Sequence, residues 1–234
     1  MPSSSEIKAK LSSDRFNPSI IPDLESFLID QASNKTDYDF EANRTLVKFY
    51  QFFPSKANAE YQLLAATLAL IYGHELDVGA ILCLIPESVK SASNAAFASL
   101  VAAVENRDAC LFANLFDALD GMEKSDVTSV ASFVKSSKAK NAIRASVLET
   151  LSLAYKTAST AAVLKHVHLS SEADLKALNS TVIDNVDSAT VTFCDNADNT
   201  KRVKNSQDGA AANLNQLDYA TIGSLFGRNM VAAE

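Results

Sequence analysis

His166 and His168 are the residues whose type and spacing most invite a metal reading. On a strand, positions i and i+2 share a face and two imidazoles can close on one ion. On a helix they diverge by about 200° and cannot. "TAAVLKHVHL" reads as helical and offers no third ligand nearby, so the expectation is one surface and one core histidine. Cys83, Cys110 and Cys194 are far apart and odd in number, and are expected to be reduced thiols acting as small buried hydrophobes. His74, beside Gly73, suits a helix C-terminus, where partial positive charge is favourable. P-loop, dinucleotide-fingerprint and nucleophile-elbow motifs are all absent from the sequence. The expectation is therefore no enzymatic activity, no cofactor, no metal and no small-molecule substrate. Lys201, Arg202 and Lys204 form a compact basic cluster, but Asp195, Asp198 and Asp208 surround it. Three phosphate contacts give a modest, salt-sensitive affinity.

The elements that must carry these residues follow from composition and periodicity. The chain has 234 residues and a net charge of −7, which argues against nucleic-acid binding as the main task. With 6 Gly and 5 Pro it has few breaks, and long helices are favoured over many strands. The opening "MPSSSEIKAKLSS" lacks the apolar segment of a leader, and no stretch approaches the roughly 18 apolar residues of a membrane span. A cytoplasmic location, with room for a nuclear pool, is expected.

Asn17 and Pro18 open a first helix, in which Leu24, Phe27, Leu28 and Gln31 fall at i, i+3, i+4 and i+7. A second helix follows in "YDFEANRTLVKFYQFFP", with Thr36 and Asp39 spaced like a capping box and Pro54 as its stop. Its apolar half holds Phe40, Ala42, Leu46, Val47, Phe49, Tyr50 and Phe53; Thr45 and Lys48 lie opposite. Two residues break the pattern. Asn43 lies in the middle of the apolar half, and Phe52 projects from the polar half. An unpaired buried amide costs about 1–3 kcal/mol, so Asn43 is expected to bond a backbone group of the adjacent helix. Phe52 is a candidate protein contact, with cover by a neighbouring loop the plainer alternative.

Further helices follow with short connections. One shows Leu63, Ala66, Thr67, Leu70 and Ile71 facing inward; another is closed by Gly121; the longest, "AKNAIRASVLETLSLAYKTAS", runs to Ser159. Past about residue 158 come two short helices, the second capped by Ser170 or Ser171. A β-hairpin is then expected, with "SATVTF" as one strand, "DNADNT" as its turn and "KRVKN" returning. The expected fold is mostly α: an antiparallel helical-repeat (HEAT-like) domain over 1–137, a winged-helix domain over 138–227 and a tail over 228–234.

Residues 14–53 resemble subunit k of the eukaryotic translation initiation factor 3 complex. The resemblance rests on "DRFNP", on Leu24 and Glu25, and above all on "YDFEANRTLVKFYQF", where Tyr38, Asp39, Glu41, Ala42, Asn43, Leu46, Lys48, Tyr50, Gln51 and Phe52 fit in register. "LFDALD" at Leu115 to Asp120 is a weaker match, and the closing helix around Leu217, Asp218 and Ile222 is also similar. The resemblance implies a PCI-related fold and a non-catalytic scaffold subunit. It also implies pairing with subunit l and with other initiation factor 3 subunits, and access to the small ribosomal subunit through that complex. Lys201, Arg202 and Lys204, on a wing, then become candidate rRNA contacts. A proteasome-lid or signalosome subunit of the PCI type, and a free-standing winged-helix nucleic-acid binder, are the alternatives.

The closing helix "NLNQLDYATIGSLFG" carries two apolar arcs, Leu214, Leu217 and Leu225 on one and Tyr219, Ile222 and Phe226 on the other. A helix that only covers its own domain needs one stripe. Tyr219, Ile222 and Phe226 are therefore candidate partner contacts.

Overall fold

The computed structural model describes residues 4–13, 17–74, 76–91, 95–178 and 180–200. Among them are twelve α-helices: α1 (Ser4–Ser13), α2 (Ile21–Ala32), α3 (Phe40–Phe52), α4 (Ala59–Tyr72), α5 (Asp77–Leu82), α6 (Glu87–Ser91), α7 (Ala95–Asp108), α8 (Phe112–Glu123), α9 (Thr128–Lys135), α10 (Ser137–Ala154), α11 (Thr160–His166) and α12 (Glu172–Ala177). Three strands, β1 (Thr157–Ser159), β2 (Ile183–Val186) and β3 (Thr190–Phe193), form one antiparallel sheet in the order β1-β3-β2. The chain divides into two units, Met1–Cys194 and Asp195–Glu234, and these helices and strands belong to the first.

The core is organised around α4. Every residue from Gln62 to Ile71 is buried, so the single inward stripe expected here becomes burial on all faces. The cause is the number of neighbours: α2, α3, α5, α7, α9 and α10 all pack against this one helix. A helix that is apolar all round is stable only when enclosed in this way. Asn58 caps its start, accepting from the amides of Glu60 and Tyr61, and Gly73 caps its end. The Gly73 backbone is extended, at φ −78°, so left-handed freedom is not what the position requires. It requires space: a Cβ here would sit 2.5 Å from the Ala69 carbonyl oxygen.

Three local expectations are corrected. The cap of α3 is Asp39, whose carboxylate accepts from the Ala42 amide at 3.1 Å, while the Thr36 hydroxyl lies outside the helix without a hydrogen bond. Gly121 does not end α8, which continues to Glu123. The missing side chain instead lets Ser99 of α7 approach, its hydroxyl 2.9 Å from where a Cβ would stand. The helix expected to reach Ser159 ends at Ala154, and Thr157–Ser159 becomes β1 because it pairs with β3.

The strand Thr190–Phe193 forms as its composition suggests, but its hairpin partner lies before it. β2 pairs with β3 across a turn at Asp187 to Ala189, with an irregularity between Ile183 and Asn185. The Asp187 carboxylate closes that turn by accepting from the Ala189 and Thr190 amides at 2.9 and 2.7 Å and from the Thr190 hydroxyl. The bonds from the Thr190 and Ala189 amides hold its pKa below the usual carboxylate value. "DNADNT" is a turn as well, with Asn196 accepting from the amides of Asp198 and Asn199. "KRVKN" lies outside the described residues.

Arg144 joins the last helices. From α10 its guanidinium donates to the Val167 carbonyl at 3.1 Å and to the His168 carbonyl at 3.2 Å, acceptors left over just past the end of α11. Burial lowers its pKa from the ordinary arginine value.

Candidate protein-interaction surface

The surface of interest is built on α3. Asp39 starts this helix, Pro54 follows its end, and Leu46, Val47, Phe49 and Tyr50 anchor it in the core. Asn43 is 1% exposed. Its partner is a side chain rather than the backbone group expected. The Asn43 amide nitrogen donates to Gln31 Oε1 at 3.0 Å, and the Gln31 amide nitrogen donates to Asn43 Oδ1 at 2.9 Å. Gln31 Oε1 also accepts from the Asp39 backbone amide at 2.8 Å, so one residue of α2 holds both the start and the first turns of α3. Gln31 stands on the buried stripe of α2 in place of a hydrophobe. Two amides on two apolar stripes are the signal by which their pairing can be read.

Two tyrosines tighten the same region. Tyr50 donates to Glu25 of α2 at 2.6 Å, and Tyr38 donates to Asp77 of α5 at 3.2 Å. Burial, with the neighbouring carboxylates adding to it, pushes both phenols well above their usual pKa. The carboxylate of Asp77 also accepts from the His74 amide, linking the end of α4 to the start of α5.

These anchors leave the far side of α3 facing a groove of about 520 Å³ against α5. Phe49, Ala80 and Leu84 contribute apolar surface to it, Thr45 lines it, and Phe52 stands in it 57% exposed. Arg44 and Lys48, one helical turn apart, supply its charge. Lys48 lies with its ammonium 5.8 Å from the Phe52 ring centre, and Arg44 lies 5.4 Å from that of Phe40 while pairing with Glu41 at 2.6 Å. Among the described residues no loop covers Phe52; it forms one wall of a cleft. The periodicity placed Phe52 and Lys48 on the outer half, but Thr45 is only 8% exposed, and the contribution of α5 carried no sequence signal.

The remaining candidates fall elsewhere. His166 and His168 each pack a ring against a separate phenylalanine of α8, Phe112 and Phe116, and they belong to no cluster of three or more potential metal ligands among the described residues. His168 follows the end of α11 in a left-handed backbone conformation. The expectation of buried cysteines is corrected, since Cys83 and Cys110 are exposed and Cys194 is half-buried. Cys83 follows the last residue of a short helix, and Cys110 occupies a left-handed position in the turn between α7 and α8, so neither is carried on a core face. Lys201, Arg202, Lys204, Tyr219, Ile222 and Phe226 lie outside the described residues. Among the described residues no helix is long and apolar enough to cross a membrane.

Comparison with curated proteins gives a direction. The similarity is to subunit K of eukaryotic translation initiation factor 3. The proteins of that name from Drosophila persimilis and Drosophila sechellia are 36% identical to this chain over 101 residues, and that from Drosophila willistoni is 37% identical over the same length. The matched stretch covers 42% of this chain and 45% of each relative, less than half of either. No protein-family profile matches the chain.

Proposed function

We propose that this chain is a non-catalytic scaffold subunit of eukaryotic translation initiation factor 3, supporting assembly of the pre-initiation complex on the small ribosomal subunit. The observation that carries the reading is the 35–37% identity to proteins named as subunit K. The architecture supports it. The α-β-α-α-β-β series from α10 onward, with sheet order β1-β3-β2, suits a winged helix, and on this reading the chain is a helical-repeat domain over 1–137, a winged helix over 138–227 and a tail over 228–234, in the PCI manner. On this reading the chain works in the cytoplasm through protein surfaces. It pairs with subunit l and other initiation factor 3 subunits, and it reaches the ribosome through them. Phe52, Tyr219, Ile222 and Phe226 supply contacts to partners, and Lys201, Arg202 and Lys204 supply at most a weak rRNA contact.

The test is affinity purification of the tagged full chain from eukaryotic cells, read by mass spectrometry and by sedimentation. Initiation factor 3 subunits, subunit l among them, are expected in stoichiometric amounts, together with co-sedimentation with the small ribosomal subunit. Recovery of proteasome-lid or signalosome subunits in their place would move the chain to another assembly.

A further inference from the structure

We infer that the groove between α3 and α5 receives an acidic amphipathic helix from a partner protein. The inference goes beyond membership of an initiation complex and does not depend on which assembly the chain joins.

The first ground is shape. The groove holds about 520 Å³. It runs between two helices that pack together: α3 presents Arg44, Lys48 and Phe52 at helical spacing, and the facing side presents Ala80 of α5 and Leu84 just past its end. A third helix laid over such a pair inserts apolar residues at every third or fourth position, and no strand edge borders the groove for an extended peptide to add to among the described lining residues.

The second ground is chemistry. Phe52, Ala80 and Leu84 give the partner apolar surface to bury, and an aromatic wall that is more than half exposed is a natural anchor. The charge is of one sign. Arg44 and Lys48 line the groove, and no carboxylate does so among the described lining residues, in a chain whose net charge is −7. Lys48 is in no salt bridge among the described residues, and the Arg44–Glu41 pair is exposed, a class of pair that contributes little and yields readily to a better-placed carboxylate. A helix with leucine-like residues on one stripe and glutamate or aspartate beside it satisfies both features. Two cations are too few to hold a nucleic-acid backbone at ordinary salt.

The experiment titrates the isotope-labelled full chain with two synthetic peptides of about 18 residues, long enough to hold a helix. Both carry the same leucine stripe; one has glutamate at the flanking positions and the other lysine. Expected are amide shifts confined to α3, α5 and their immediate contacts, with the glutamate peptide binding roughly tenfold tighter than the lysine peptide. Lys48→Glu, at an exposed position, should reduce or reverse that preference while leaving the thermal melt unchanged. Phe52→Ser should weaken both peptides. Equal affinity for the two peptides, shifts elsewhere in the chain, no binding by either, or an unchanged preference in Lys48→Glu would each overturn the assignment. Purification of the initiation complex with the Phe52→Ser chain reports separately on membership.

Discussion

Gln31 and Asn43 exchange two amide hydrogen bonds, so removing either side chain strands the other in the core. Asn43→Leu is expected to cost about 1–3 kcal/mol, with the chain still helical, as read by thermal melting and circular dichroism. Adding Gln31→Leu should recover part of that loss, because an apolar pair leaves no unpaired amide side chain; the Asp39 backbone amide then remains the residual cost. A second expectation concerns alkaline pH. The phenols of Tyr38 and Tyr50 are held above their usual pKa in the folded chain, so the folded state keeps protons that the unfolded state releases. Their contribution is fully present below about pH 10, the ordinary phenol value, and declines above it. Denaturant melts across that range should show a falling midpoint, and Tyr50→Phe should flatten the decline. Asn43 was legible as a buried amide because periodicity alone placed it among hydrophobes. Its partner was less so, since Gln31 reads equally well as the polar end of an apolar stripe.

At the scale of elements, two glycines separate space from propensity. Gly73→Ala drives a methyl group against the Ala69 carbonyl and the Asp77 side chain, and is expected to destabilise the α4–α5 junction by about 1–3 kcal/mol. Gly79→Ala, inside α5 with open space around it, should instead gain roughly 0.5–1 kcal/mol from helix propensity. Opposite shifts in melting temperature check the pair. Most of the helix series was legible because those helices carry their own apolar stripe or cap; α1, with Ile7 as its one buried residue, and α6, with none, carry no such stripe. The sheet was legible only in its central strand. β3 is β-branched and aromatic, whereas β1 and β2, as "TAS" and "IDNV", are strands because β3 pairs with both. Their own residues state no strong preference, so tertiary pairing decides.

For the whole molecule, assembly and RNA contact are expected to separate. Neutralising Lys201, Arg202 and Lys204 together should leave co-purification with protein partners intact, while any RNA affinity falls and loses salt dependence. Ile222→Ala with Phe226→Ala should give a soluble, folded chain that no longer captures its partner, checked by circular dichroism and co-purification. Loss of the first variant from the complex, or full retention of the second, would reassign the two surfaces. The helical class was legible from composition and periodicity, but the groove was not. It arises where α5 meets α3, two segments about thirty residues apart in the chain whose packing no local pattern encodes. The seam closed by Arg144 has a mechanical consequence. β1 leaves the end of α10 through two residues, and α11 is tied back to the middle of α10 by the two carbonyls that Arg144 holds. With His166 and His168 also seated on Phe112 and Phe116 of α8, a body hinged at one point becomes a body braced against two rods. A force applied to the sheet is therefore shared between α8 and α10, and α10 hands its part to α4, against which it rests.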